Sequence, residues 1–461
     1  MLKARVSLCV AAVLCAAIPA TADAAGRFTI RGAGFGHGVG MSQYGAYGFA
    51  LQGRTYDQIL AHYYTGTALG REGGTTVRVL LQDVSTASFS GARSANGRRL
   101  NPGRTYYVRQ ASGSVEVANE AGKVLRRASG LMTVKPSRGT VTLSGAGVYR
   151  DQLEFRESGI FGVQAVNAVG MEKYVRGVVA LESPSSWPAE ALKAQAVAAR
   201  TYALTTSKGG NGFDQYADTR SQVYGGVAAE TSTTDAAVRA TKHRVVTYRG
   251  EPVTTYFFST SGGRTEDVEN TSLGVEPLPW LKSVKDPFDD ASPKHRWGPY
   301  RWPMRKAADK LSGYVKGSFI GIDVVSRGRS PRIVSADVVG SGGRTRVTGA
   351  TLRAELELFD SWAYFSSITT GSGPKAEVDR TALLGTEPAM RAARSTRRVE
   401  GRIFPAVGGA TVSVQRLEGF RWATVASADT DAQGRYAYVA EQPGRYRVRF
   451  LLDTGPAVEV E

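Results

Sequence analysis

Glu182 is the carboxyl whose neighbours best suit acid–base chemistry. It stands beside Leu181 and Pro184 at the end of the run Tyr174-Val-Arg-Gly-Val-Val-Ala-Leu-Glu-Ser-Pro184. A carboxyl held against apolar groups has its pKa raised toward neutrality, which is what a general acid needs. Lys193 and Arg200 follow, seven residues apart and so on one helical face, where they could hold substrate or oppose a carboxylate's charge. The plainer readings are that Glu182 caps the next helix and that these charges pair in solvent. A second stretch is Gly32-Ala-Gly-Phe-Gly-His-Gly-Val-Gly-Met-Ser-Gln-Tyr-Gly-Ala46. Its glycines do not have the GxGxxG spacing of a dinucleotide site. Bare backbone beside His37, Ser42, Gln43 and Tyr44 suits a groove floor on which a sugar ring rests, although close strand–helix packing explains the glycines as well. A third stretch, residues 213 to 226, contains Gln222 and Tyr224. A fourth ends a strand in Ser259, Thr260 and Ser261. A serine nucleophile there would want a histidine base, and His37, His62, His243 and His295 stand in no triad setting. Hydrogen bonding to sugar hydroxyls is the better use for these three, with a plain turn as the alternative.

The elements that must position these residues can be read from periodicity. Glycine at every second position from 32 to 40 describes a strand with one bare face and Ala33, Phe35, His37, Val39 and Met41 on the other. A helix is expected from about Ser42, and another from Thr55, where Thr55 and Gln58 have the capping-box spacing. Short β-type runs separated by Gly, Ser, Asn and Pro fill residues 71 to 165. The Glu182 block is helical. One helix over residues 172 to 180 is stopped by Pro184, and a longer one, opened by Pro188, runs to about residue 205. Leu192, Ala196, Ala199 and Ala203 form a stripe on it that admits another backbone closely, so this helix should be central and buried. β-type segments then dominate to about Phe365, with one helix near Met304. Residues 366 to 397 read as a linker. Residues 398 to 461 alternate with period two between turn signals. The expected fold class is α+β: a mixed β-rich domain around a central buried Ala-rich helix, plus a small C-terminal all-β sandwich domain.

The first 25 residues read as a secretory signal peptide. Lys3 and Arg5 precede an apolar run over residues 6 to 18, Pro19 breaks it, and Ala20-Thr21-Ala22 and Ala22-Asp23-Ala24 offer small-residue exits. The run is shorter than the ~20 residues of a spanning helix, and Leu14 before Cys15 argues against a lipid anchor. The expected location is therefore secreted or wall-associated. Both cysteines, Cys9 and Cys15, fall in this segment. A mature chain without them excludes disulfides, thiolate catalysis and Cys-based zinc sites. The net charge of +17 would suggest nucleic acid in a cytosolic protein. In an exported one it points to anionic wall polymers or phospholipid headgroups, with no nucleic-acid partner; a general preference for Arg on surfaces is the plain alternative.

Together these stretches resemble the SpoIID/LytB family, named for stage II sporulation protein D and an amidase enhancer. The block from residue 174 to 202 carries the resemblance, supported by Gly34-Phe-Gly-His-Gly-Val-Gly-Met-Ser-Gln-Tyr-Gly-Ala46 and Ser259-Thr-Ser-Gly-Gly263. It covers roughly residues 30 to 70 and 75 to 365. The chain then divides into a signal peptide (1–25), a Gly/His motif segment (26–70), a β-rich subdomain (71–160), a SpoIID-like catalytic core (161–365), the linker (366–397) and the small β-domain (398–461).

The resemblance implies a lytic transglycosylase acting on peptidoglycan glycan strands, with Glu182 at the family's Glu-x-Pro position. Protonated Glu182 would donate to the glycosidic oxygen between N-acetylmuramic acid and N-acetylglucosamine. As a carboxylate it would then take the proton of the muramoyl 6-hydroxyl, closing a 1,6-anhydro ring. Two other readings stay open: a non-catalytic enhancer that binds wall glycan and stimulates a cell-wall amidase, and a purely wall-binding protein. The sequence departs from the family in three ways. The Gly/His motif comes first rather than last, which a circular permutation would explain. Where some members carry zinc-binding Cys and His, this chain has Ala217, Arg220 and Ser221, so no metal or other cofactor is expected. Positions commonly His near the Ser-Thr-Ser-Gly-Gly turn are Phe258 and Arg264.

Overall fold

Alternating apolar residues between positions 76 and 170 build two largely antiparallel layers over one apolar core. The computed structural model describes residues 25–111, 113–159, 162–210, 212–372 and 397–461, so the signal-peptide reading falls outside the described residues. One layer is a seven-stranded sheet in the order Gln215–Tyr216, Thr76–Val84, Gly162–Gly170, Gln152–Ser158, Met132–Pro136, Ala92–Ala95 and Arg98–Arg99. The other is a six-stranded sheet running from Val124–Ala128 to Gly147–Arg150. Val79, Phe89, Val108 and Phe155 meet between them, and the same cluster takes in Tyr174, Val178, Leu192 and Ala196 from two helices.

The helices among the described residues are α1 (Gln43–Leu51), α2 (Tyr56–Tyr63), α3 (Met171–Glu182), α4 (Ala189–Thr205), α5 (Ser232–Ala240), α6 (Met304–Lys310) and α7 (Gly349–Glu355). Helix α3 ends where Ser183 turns extended ahead of Pro184, a residue that disfavours helix before it. Pro188, with its fixed φ, then opens α4. Helix α4 has core on two sides: Leu192, Ala196 and Ala199 face the cluster above, while Ala194, Val197 and Ala198 pack against Met41, Tyr64 and Val246. Helices α5 and α7 lie where strands were expected. Each is started by a threonine cap, Thr231 accepting from Thr234 N at 3.2 Å and Thr348 from Thr351 N at 3.0 Å.

A five-stranded sheet joins the two ends of the chain, in the order Arg296–Pro303, Ala25–Ala33, Ala363–Ser372, Arg398–Phe404 and Arg435–Val439. It corrects two expectations. The start of the presumed linker, residues 366 to 372, is strand, because its β-branched Ile368, Thr369 and Thr370 have partners on both sides. The rest of that range, residues 373 to 396, is outside the described residues. The C-terminal region is all-β, but it is not self-contained. Val399, Ile403 and Tyr436 of the shared sheet and Val412, Val414 and Val448 of a second sheet close over a cluster that includes Ile368. Arg31, on the N-terminal strand, also forks onto Asp453 at 2.7 and 3.0 Å.

Residues 34 to 40 are not the expected strand either. Gly34, Gly36, Gly38 and Gly40 have φ of +81°, +130°, +87° and +76°, so the segment turns at every second residue. Gly40 shows the need most directly, since a Cβ there would stand 2.1 Å from the Tyr256 carbonyl oxygen. Isolated bridges, Phe35 to Thr260 and Val39 to Glu266, and hydrogen bonds from Gly34 N to Lys294 O and Gly36 N to Phe359 O tie the segment to its neighbours before Met41–Ser42 pairs with Phe257–Phe258.

Candidate active site

Glu182 is the last residue of α3, where the helix carbonyls point past the end and disfavour a negative charge. Its carboxyl is half-buried and holds two hydrogen bonds. Oε1 accepts from Val223 N at 2.9 Å, and Oε2 accepts from Gln43 Nε2 at 3.2 Å. Burial pushes its pKa up, and these two donors offset part of that rise. No second carboxylate and no cation among the described residues contributes to the shift. The capping reading fails, because α4 begins at Pro188 with no side-chain cap.

Three segments distant in sequence meet at this carboxyl: the Gly/His motif through Gln43, the end of α3, and the 222–224 segment. Ser42 caps α1 by accepting from Gly45 N at 3.1 Å, which sets Gln43 in the first turn facing Glu182. Gln222 and Tyr224 flank Val223 and turn inward. Gln222 Nε2 donates to Ala199 O at 3.1 Å, and Tyr224 Oη donates to Asn167 Oδ1 at 2.7 Å, both buried. They fix the backbone N–H that Glu182 accepts and are positioning residues rather than substrate contacts, as is Ser42.

The other expected contacts divide as follows. Tyr44 is partly exposed beside Gln43, with its ring edge-on to Trp187 at 5.1 Å; Tyr47 lies 5.0 Å from the same indole. Trp187 belongs to the loop between Glu182 and α4, and with Tyr44 and Tyr47 it forms a cluster of three partly exposed aromatic rings beside Gln43. The sequence reading missed Tyr47 and Trp187, although their signal was available: i, i+3 spacing from Tyr44, and an aromatic in the loop after the acid. Arg200 does not reach this site. It is 2% exposed, forks onto Glu172 at 2.8 Å through two nitrogens, and donates to Arg244 O. Lys193 is held by Glu190 at 2.6 Å, one turn back. Thr260 and Ser261 are fully buried, bonded to Ser292 and Asp289, and so shape the turn; Ser259 alone of the three is partly exposed.

His37 lies on another face of the motif. Its Nδ1 accepts from Val39 N at 3.1 Å, so its Nε2–H donates to Phe257 O at 3.0 Å. Burial pushes its pKa down to about 3, leaving a neutral ring with both nitrogens occupied. It serves as a brace for the motif and is not available for proton transfer. Around the 217–221 turn, Arg220 pairs with Asp218 at 2.7 Å and covers the Tyr216 ring, while Ser221 accepts from Tyr216 N. Among the described residues no group of His, Cys, Asp or Glu side chains is arranged to hold a metal.

Residues 161–248, which contain Glu182, α4 and the 222–224 segment, match the family described as SpoIID: Stage II sporulation protein. The chain is 38% identical over 151 residues to stage II sporulation protein D of Bacillus subtilis, covering 29% of this chain and 43% of that protein. It is 40% identical over 115 residues to the amidase enhancer of the same organism, covering 25% of this chain and 15% of that one. The chain thus spans less than half the length of these curated relatives. The match to stage II sporulation proteins thus lies on the segments that build the carboxyl site, and there the chain is similar to the SpoIID/LytB family.

Proposed function

We propose that the protein acts on the bacterial cell wall as a peptidoglycan lytic transglycosylase, with Glu182 as acid and then base. The observation that carries this reading is the setting of Glu182: one carboxyl, pKa raised by burial, with no second carboxylate among the described residues contributing to that rise. Hydrolytic glycosidases need two carboxyl groups, one for the leaving oxygen and one for water or a covalent intermediate. A lone acid suits intramolecular closure. As the bond between muramoyl C1 and O4 of the neighbouring N-acetylglucosamine breaks, the Glu182 proton passes to that O4. The muramoyl O6 then bonds to C1 and its proton returns to Glu182, so no water is consumed. Val223 N and Gln43 hold the carboxyl in one orientation through both steps. Tyr44, Tyr47 and Trp187 offer aromatic surface on which the apolar face of a sugar ring can rest. The Gly/His motif before the core fits a permuted order, and strand Ala25–Ala33 pairing with Ala363–Ser372 supplies the adjacency such an order requires. Secretion to the wall is part of the same proposal and rests on the signal-peptide reading.

The likeness to an amidase enhancer favours a second reading, in which the same site binds glycan without cleaving it and the protein stimulates a partner amidase. Purified protein and Glu182→Gln, each incubated with peptide-free and with intact peptidoglycan, separate the two. Soluble anhydro-muramoyl fragments from the wild type alone support the lytic reading. No fragments, together with faster release of stem peptides by an added amidase, support the second.

A further inference from the structure

A cavity of about 570 Å³ lies between the turn at residues 269–272, strand Ile333–Gly340, and α7 with the turn after it. Glu182, Gln43 and Trp187 do not line it, so it is separate from the site above. Its walls mix apolar groups, Ile333 and Leu358 among them, with polar ones, the character of a site for a small molecule. Two features of its charge are unresolved within the protein. Arg353, on α7, has no carboxylate within ion-pair distance among the described residues; its Nε makes only a long contact of 3.4 Å to Leu358 O. Asp360, the acid whose charge acts on Arg353, is already held by Arg332 at 2.8 Å, and Glu357, also on the cavity lining, pairs with Lys310 at 3.0 Å. Burial pushes the Arg353 pKa down, and the Asp360 charge offsets only part of that fall. On the 269–272 wall, Glu269 pairs with Lys282 through Oε1, while its Oε2 is buried and accepts nothing. An acceptor left this way costs on the order of 1–3 kcal/mol unless a ligand or water supplies a donor.

We infer that this cavity binds a small carboxylate, gripped by Arg353, whose body presents an N–H or O–H donor to Glu269. A guanidinium with free donors matches a carboxylate through two parallel hydrogen bonds. The volume suits an amino acid, a dipeptide or an acidic amino sugar. His37, at the cavity's edge, is neutral and internally bonded, so it adds shape and no charge.

Isothermal titration of the full protein with alanyl-alanine and with N-acetylmuramic acid tests this and distinguishes a peptide carboxylate from a sugar acid. One-to-one binding of either is expected, absent for the corresponding neutral amide and weakened at least tenfold in Arg353→Gln. Ala354→Trp, placed at an exposed position on the cavity rim, should block it without removing a charge. Glu182→Gln should bind as the wild type does, which separates this proposal from the lytic reading. It is overturned if neither carboxylate binds better than its amide, or if Arg353→Gln, shown by its melting curve to be folded, binds as well as the wild type.

Discussion

Gln43 is the residue by which the Gly/His motif supplies a chemical setting for Glu182. Its amide donates to the carboxylate, which favours the ionised form and holds the pKa below what burial alone would set. Gln43→Leu removes that donor, so the Glu182 pKa rises. A protonated acid is needed to begin the proposed reaction, and activity should therefore persist to higher pH. A hydrogen bond worth ~1 kcal/mol moves the alkaline limb of the pH–rate profile up by roughly 0.5–1 unit. An unmoved or downward-shifted limb would separate Gln43 from the acid. Little of this was readable beforehand. Neighbours in sequence suggested an apolar setting for Glu182, but the polar partners come from positions 43 and 223. Arg200 misled because helical spacing shows which residues share a face but not whether that face meets solvent. Here it meets Glu172, 28 residues earlier.

At the scale of elements, the alternate glycines were legible as a pattern and misread as a strand. Period two is common to a pleated strand and to a chain that turns left-handed at every second residue, and only backbone angles distinguish them. Gly40→Ala should destabilise the protein by on the order of 2–4 kcal/mol in urea unfolding, from a positive φ and a Cβ pressed on the Tyr256 carbonyl. A loss under ~0.5 kcal/mol would mean the segment relaxes freely. Helices α3 and α4 were legible because Pro184 and Pro188 punctuate them and an Ala stripe marks the second. Helices α5 and α7 are short, and tertiary packing and one threonine cap each outweigh their weak periodicity.

Across the whole molecule, the sheet that unites both ends could not be read from local pattern, since it joins residue 25 to residue 370 and residue 372 to residue 399. Ending the chain after residue 396 would strip strand Ala363–Ser372 of one neighbour and expose Ile368. Such a protein should melt several degrees lower than the full chain; an unchanged melting temperature would show the C-terminal strands to be an independent unit. A second global property comes from Asp286, buried under α1 beside Tyr63 and close to Asp289. Burial, with the neighbouring Asp289 charge, pushes its pKa up to about 7 from 3.8. The folded state then holds a proton that the unfolded chain releases, so its stabilising effect is full below about pH 4 and is lost as pH rises through 7. Asp286→Asn removes that dependence. Its stability relative to wild type should improve by on the order of 2 kcal/mol between pH 5 and pH 8, and a constant difference across that range would place the titration elsewhere.

In the proposed reaction Glu182 alone breaks the glycan strand without water. Digestion of peptide-free strands in ¹⁸O-labelled water, followed by mass spectrometry of the new ends, tests it most directly. The wild type should yield 1,6-anhydro-muramoyl ends free of the label. Glu182→Gln should yield them ~10²–10⁴-fold more slowly, the usual span of general acid–base catalysis. Labelled reducing ends, or equal rates from the two proteins, would contradict it.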